Sequence, residues 1–435
     1  MKLRHALLLA GVLASPCLAA APLPQPLTLA DALRLAQDEG HYDLQLRTAE
    51  LEVARAGLRT AQGERDFTLG FEGRLRYVDP PAQNVNQEHN DSAALLVARK
   101  RLYDFGRGAA LEQAAQAVIE GEEQRLGLAR EQRKIDVLRA FFDVLLADMG
   151  YTVANERMAI YYVDYDKQRD RFELGQVSQV EFLRVQTGYE EILRARNEAE
   201  ARQRTTRLRL AAALGDPAQL PAKLVEPELQ SLPERQAPAI DTVLAEGLAR
   251  NPTLVALRRQ LEAATGRVEA ARARRLPVLD AVVEGGVYNR EFGSNDPLRA
   301  GVVLTAPLVT GGAVEGEIAR AEAERLRAQA TLARAEAELR QRLSELALDI
   351  DVLRKAAAGD KVREGYRELY LDRSRALYEM EVSTDLGDSM VQMSDARLRS
   401  MRTLFALSLA WAELDALLGR PVAPLAVATP PEGNS

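Results

Sequence analysis

The chain has 435 residues, 47% apolar and 28% charged, with a net charge of −7, enough for two or three domains with proper cores. One cysteine, Cys17, and three histidines, His5, His41 and His89, exclude a thiolate or zinc cluster. No cofactor, metal or nucleic-acid partner is expected.

At the N-terminus Lys2 and Arg4 precede an apolar run from Ala6 to Leu13, followed by Pro16 and the small residues Ala19 to Ala21. This pattern predicts a secretory signal peptide over residues 1–20, whose removal takes Cys17 with it and leaves no disulfide possible. A lipid-carrying Cys17 is the competing reading, but Pro16 stands where a lipobox wants a small residue. No other stretch approaches the roughly 18 to 20 apolar residues of a membrane helix, so any membrane span has to be a β-barrel.

Prolines divide the rest of the chain, because they are poorly tolerated inside helices and central strands. None lies between Pro81 and Pro217 or between Pro307 and Pro421, and both blocks are rich in the helix formers Ala, Leu, Glu, Arg and Gln. Prolines 221, 227, 233 and 238 mark a linker at 218–239. It separates a first repeat at 27–217 from a second at 240–421, with a flexible tail at 422–435. Leu51-Glu52 and Leu69 match Leu261-Glu262 and Leu279 at a shift of 210. Leu102 and Gln186 match Leu308 and Gln392 at 206, and Leu214-Gly215-Asp216-Pro217 matches Leu418-Gly419-Arg420-Pro421 at 204. An internal duplication with small gaps is the simplest account.

Each half is expected to open with one helix of about 35 residues, Leu29–Arg65 and Asp241–Arg275. A β-hairpin comes next, at 67–102 and 278–308. Leu69, Phe71 and Leu75 alternate with Glu72, Arg74 and Arg76; Leu279 and Val283 alternate with Asp280 and Glu284; Leu96, Val302 and Leu304 continue the apolar set. That is the period of strands with one greasy and one wet face, and about ten residues suits a tilted membrane strand. Aromatic residues mark the strand ends, Phe67, Tyr103 and Phe105 at one level and Tyr77, Tyr288 and Phe292 at the other. Four strands cannot close a barrel alone, so several chains are required. Long helices then extend over 107–173 and 316–379, each returning through a second helix, at 107–214 and 316–418 overall. Ile135, Leu138, Phe142, Leu145 and Met149, and Leu404, Leu407, Trp411, Leu414 and Leu418, repeat at coiled-coil spacing.

These features resemble the TolC-type outer-membrane efflux proteins, trimeric ducts of Gram-negative bacteria. The resemblance rests on Leu102-Tyr103-Asp104-Phe105-Gly106-Arg107-Gly108 with a weaker copy at Leu308–Gly312, and on Arg171 to Ser178 followed by Glu181 to Gln186. It implies a mainly α fold with a small β part: coiled-coil helices forming a trimeric α-barrel joined to a shared 12-stranded membrane β-barrel, four strands per chain. It implies a homotrimer in outer-membrane lipid with a periplasmic extension, opened by a periplasmic adaptor and an inner-membrane pump of RND or ABC type. Leu69, Phe71, Leu75, Leu96, Leu279, Val283, Val302 and Leu304 would then face lipid, and Glu72, Arg74, Arg76, Asp280 and Glu284 the lumen. The adaptor would dock at Arg171, Leu174, Gly175, Ser178, Met380 and Glu381. The second turn departs from the family, with Glu381 in place of glycine. The family's acidic aperture positions hold Gly387 and Met390, whereas Asp385 and Asp388 have the right spacing two residues earlier and are the candidate gate. A solvated helix N-terminus also favours Asp at such places.

Two other classes remain: a periplasmic coiled-coil scaffold or adaptor without a membrane span, and an enzyme using His41 or His89 as a base. Neither histidine has a nucleophile or orienting acid at a recognisable spacing, so no enzyme is expected.

Overall fold

A computed structural model describes residues 23–290, 296–380, 382 and 385–422. The expected signal peptide, Phe292, Glu381 and the tail from 423 lie outside these residues. The chain forms two compact units, one combining the part up to Ala36 with Val137–Pro227, the other Gln37–Asp136 with everything from Glu228.

The elements run α1 (Leu29–Leu35), α2 (Tyr42–Gly63), β1 (Phe67–Arg74), β2 (Ala93–Tyr103), α3 (Arg107–Glu173) and α4 (Gln179–Ala213). After a single 3₁₀ turn at Leu232–Glu234 the series returns as α5 (Ile240–Arg250), α6 (Pro252–Ala273), β3 (Val278–Tyr288), β4 (Leu298–Thr305), α7 (Ala313–Glu379) and α8 (Leu386–Leu417). Helices α3 and α7 have 67 residues each, about 100 Å at 1.5 Å per residue. Both α4 and α8 end in the same device: Gly215 and Gly419 take positive φ, and the next amide, Asp216 or Arg420, donates back to Ala211 or Asp415.

The single opening helix expected in each half is instead two helices. In the second half Pro252 has no N–H to donate to the α5 hydrogen-bond ladder but suits the first position of a new helix, and Asn251 caps it. Asn251 is 2% exposed; its Oδ1 accepts from Leu254 N–H at 3.0 Å and its Nδ2 donates at 2.8 Å to the carbonyl of Leu417, the last residue of α8. In the first half the cap is His41, 210 positions earlier, whose Nδ1 accepts from Asp43 N–H at 3.3 Å. The histidine weighed as a catalytic base is thus a buried cap. Replacing Asn251 by Ala strands a buried donor and a buried acceptor and should cost about 2–4 kcal/mol. Asn251→Ser, which keeps a capping acceptor for the Leu254 N–H, should lose less; thermal unfolding of both variants measures the difference.

In the second unit the core joins Leu339, Leu343, Leu346 and Ile350 of α7 to Leu407, Trp411, Leu414 and Leu418, with Val243 and Leu254 beneath. The stripe read from the sequence on the closing helix is this seam. Arg235 lies 3.6 Å over the Trp411 ring. Nearby, burial pushes the Asp415 carboxyl above its usual range, against the pull of Arg235 and Arg420. The start of α3 packs two ways: Ile119 and Leu126 meet Leu44, Leu51 and Ala54 of α2, while Ala114 and Ala117 meet Ala263 of α6. The second contact is close, since a Cβ on Gly266 would sit 3.0 Å from the Ala110 carbonyl. In the first unit, Arg207 of α4 grips the Asp148 carboxylate of α3 with two bonds of 2.7 and 2.8 Å.

Candidate functional site

The sheet is antiparallel throughout in the order β1-β2-β3-β4. Directly opposed residues share a face, so the register sorts every side chain. One set of rungs reads Phe71-Leu96-Gly285-Leu298, Leu69-Ala98-Val283-Ala300 and Phe67-Lys100-Ala281-Val302, with Leu279 opposite Leu304. All of Leu69, Phe71, Leu96, Leu279, Val283, Val302 and Leu304 therefore lie on one face. Leu75 falls one residue beyond β1.

The alternate rungs read Gly70-Val97-Glu284-Arg299 and Thr68-Arg99-Val282-Gly301, with Glu72 opposite Leu95, Arg74 opposite Ala93 and Arg101 opposite Asp280. This second face carries ion pairs: Glu72 with Arg74 at 2.8 Å, Glu284 with Arg299 at 2.9 Å and Asp280 with Arg101 at 3.2 Å. Arg101 and Arg299, absent from the sequence-derived set, lie at positions whose alternation was legible. Arg76 lies past β1 and pairs with Asp91. Tyr288, expected to mark a strand end, is the last residue of β3 and sits opposite Ala93 on the charged face, where its hydroxyl accepts from Arg299 at 3.4 Å. An even position on β3 cannot share the face of Val283 and Val287.

The apolar face is bare. Leu69, Phe71, Leu96, Val302 and Leu304 are all at least half exposed, and at about 1.5–3 kcal/mol per side chain that surface is costly in water. Strands β1 and β4 form the two edges of the sheet, each with one side unpaired in the chain. A β-bulge between Arg101 and Tyr103 shifts the register before the last pair, Tyr103 with Leu279, and Phe105 follows with a positive φ of 55°, its ring edge-on to Tyr103 at 4.7 Å.

Far along the helices are the two turns. In the first unit Gly175 has φ of 71°, and Gln176 N–H donates to the Arg171 carbonyl at 2.8 Å, closing α3. Ser178 caps α4, accepting from Glu181 N–H at 3.2 Å. Leu174 is exposed at this turn. Below it a ladder of rings ties the two helices: Phe172 on Phe182 at 4.8 Å, Phe182 on Tyr165 at 5.9 Å and Tyr165 on Tyr189 at 4.9 Å. In the second unit Val382 N–H donates to the Leu377 carbonyl at 3.0 Å, and Met380 is exposed at the end of α7. Asp385 and Asp388 are exposed at the first turn of α8. Asp385 makes no side-chain cap there; it accepts from the Tyr370 hydroxyl at 3.5 Å, and Asp388 accepts from Gln392 at 3.2 Å. Among the described residues no helix is long and apolar enough to cross a membrane, and no group of three or more His, Cys, Asp or Glu gathers as a metal site would require.

A two-faced four-stranded sheet and two helices of 67 residues are the elements of a barrel-and-helix architecture. Residues 243–420 match the model of the outer membrane efflux protein family. The chain is 27% identical to protein CyaE of Bordetella pertussis over 328 residues, which is 71% of this chain and 66% of that protein, just under two thirds of its length. In structure it resembles the CmeC outer membrane channel of Campylobacter jejuni, with a TM-score of 0.71 at 15% identity over 90% of this chain and 85% of that one. It also resembles the outer membrane protein VceC of Vibrio cholerae, with a TM-score of 0.68 at 16% identity over 91% and 97%. The resemblance to TolC-type proteins is borne out: residues 243–420 match the outer membrane efflux protein model, and the chain has the fold of these solved channels.

Proposed function

We propose that the chain is one third of an outer-membrane exit duct, a passive channel crossing the outer membrane and the periplasm that opens when an adaptor and an inner-membrane pump dock. The carrying observation is the sheet, whose bare apolar face and two unpaired edges suit a barrel shared between chains and closed in lipid. Leu69, Phe71, Leu75, Leu96, Leu279, Val283, Val302 and Leu304 meet lipid; Glu72, Arg74, Arg76, Asp280 and Glu284 line the water path. The signal-peptide pattern supports export from the cytoplasm. A soluble scaffold has no use for such a face. The exposed turns with Arg171, Leu174, Gly175, Ser178 and Met380 receive the adaptor, together with Glu381, the residue next to Met380 in sequence.

Asp385 and Asp388 form the aperture. Three chains bring six carboxylates together, so opening relieves like-charge repulsion and cations bind at the closed ring. Purified protein in a planar bilayer should conduct, and divalent cations should block it from the periplasmic side. Asp385→Asn with Asp388→Asn should raise the divalent concentration needed for block by about tenfold. A protein that neither inserts nor conducts overturns the duct, and unchanged block in a conducting double variant overturns the gate alone.

A further inference from the structure

Within the four strands, every acidic side chain of the charged face has a basic partner, but one basic side chain has no acid. Glu72 holds Arg74, Asp280 holds Arg101 and Glu284 holds Arg299. Past β1, Asp91 holds Arg76. That leaves Arg99, which the register places between Thr68 and Val282 in a rung that ends at Gly301. Arg99 is exposed, and among the described residues no carboxylate pairs with it. The two acids diagonal to it, Asp280 and Glu284, lie two residues either side of Val282 and are already taken by their own arginines at 3.2 and 2.9 Å. Lys100, the next residue, belongs to the opposite face with Phe67 and Ala281. The charged face therefore carries one positive charge in excess, and it sits at a single position.

Resting on the shared barrel proposed above, we infer that Arg99 and its two copies form a ring that binds anionic groups, carboxylate or phosphate, on cargo crossing the barrel, and that this ring gives the barrel a preference for anions. Twelve strands about 4.8 Å apart and tilted about 40° close at a radius of about 12 Å. Three arginines reaching inward from that wall bring their guanidinium groups to roughly 10 Å of one another, about one Debye length at 0.1 M salt, so their fields overlap across the lumen. A guanidinium offers a fork of donors that fits a carboxylate or a phosphate with two bonds. In Arg74, Arg101 and Arg299 that fork is turned to a neighbouring acid; in Arg99 it is open to the water path. The wall beside it is low. A Cβ on Gly301 meets nothing within 4 Å, and one on Gly70 meets only the Val97 carbonyl oxygen at 4.0 Å. An exposed ring of this kind attracts a passing anion without trapping it, which is what conduction requires.

The acidic aperture at Asp385 and Asp388 would favour cations, so the ring is read in channels that lack it. In planar bilayers under a salt gradient, the Asp385→Asn/Asp388→Asn channel should pass chloride at least twofold more readily than potassium. Adding Arg99→Gln should bring that ratio to about one and raise about tenfold the concentration of extracellular pyrophosphate needed to block the current. Lys100→Gln, on the other face, should change neither. Arg99→Cys, modified in place after the channel has folded and inserted, separates charge from folding: a cationic methanethiosulfonate should restore the chloride preference and an anionic one should reverse it. The same reagents on channels with Arg99 intact control for Cys17. A conducting Arg99→Gln channel with unchanged selectivity and block, or reagents of opposite sign with the same effect, overturns the ring and leaves the duct. A protein that does not conduct with Arg99 intact removes the duct, and the ring with it.

Discussion

Arginine at Val283 should abolish membrane-assembled protein, while arginine at Gly70 should leave most of it. Val283 belongs to the middle rung with Leu69, Ala98 and Ala300, equally far from both ends of β3. A charge on the lipid side at that depth costs about 2–4 kcal/mol, or about 6–12 kcal/mol over three copies, as much as the whole stability of many domains. Leu69→Arg should match it. Leu304→Arg, near the end of β4, should cost less because the penalty falls toward the interface. Gly70 lies on the charged face in line with Glu284, and the nearest atom to a Cβ there is the Val97 carbonyl oxygen at 4.0 Å. Heat-modifiable oligomer on gels of extracted membranes is the readout, and equal loss from Val283→Arg and Gly70→Arg would reject the assignment of faces.

Gly175→Trp should leave the trimer intact and reduce export at least tenfold. A Cβ at Gly175 meets nothing within 4 Å, so bulk alone does not disturb the turn. The positive φ does: a side chain there costs about 1–2 kcal/mol and loosens the bond from Gln176 N–H to the Arg171 carbonyl. Gly175→Ala carries most of that strain without the indole, so it separates a bent turn from an obstructed docking surface. Adaptor cross-linking and export that survive Gly175→Trp would remove the turn from the docking site.

Much of this architecture was legible because long elements carry strong periodicity. Arg107 to Glu173 offers no proline, and β3 alternates cleanly from Val278 to Tyr288, so both are found at the expected bounds. The break at Asn251 was also written in the sequence, since Pro252 after Asn is a start signal inside an apparently continuous apolar stripe. His41 gave no such sign, being an unusual cap. Parity within each strand gave the two faces, but which residue sits opposite which depends on pairing between strands over 170 positions apart, and on a bulge at Arg101. The ion pairs of the charged face were hidden for that reason. So was the ring ladder of Phe172, Phe182, Tyr165 and Tyr189, which exists only once Gly175 sets the helices in register. Asp385 and Asp388 were visible as a spacing, but a ring of charge needs three chains.

The bare face and open edges of the sheet bear on biogenesis. A solitary chain in water has no arrangement that hides Leu69, Phe71, Val302 and Leu304 and also satisfies the outer edges of β1 and β4. The helical part can form early, since its core between α7 and α8 is local to one chain. In the proposed shared barrel the strands mature only when neighbours arrive, so for this part of the molecule folding and oligomerisation become a single event, second order or higher in chain concentration. Until then Arg99, Lys100 and Arg101, three consecutive cations near the C-terminal end of β2, act as solubilising gatekeepers against premature pairing.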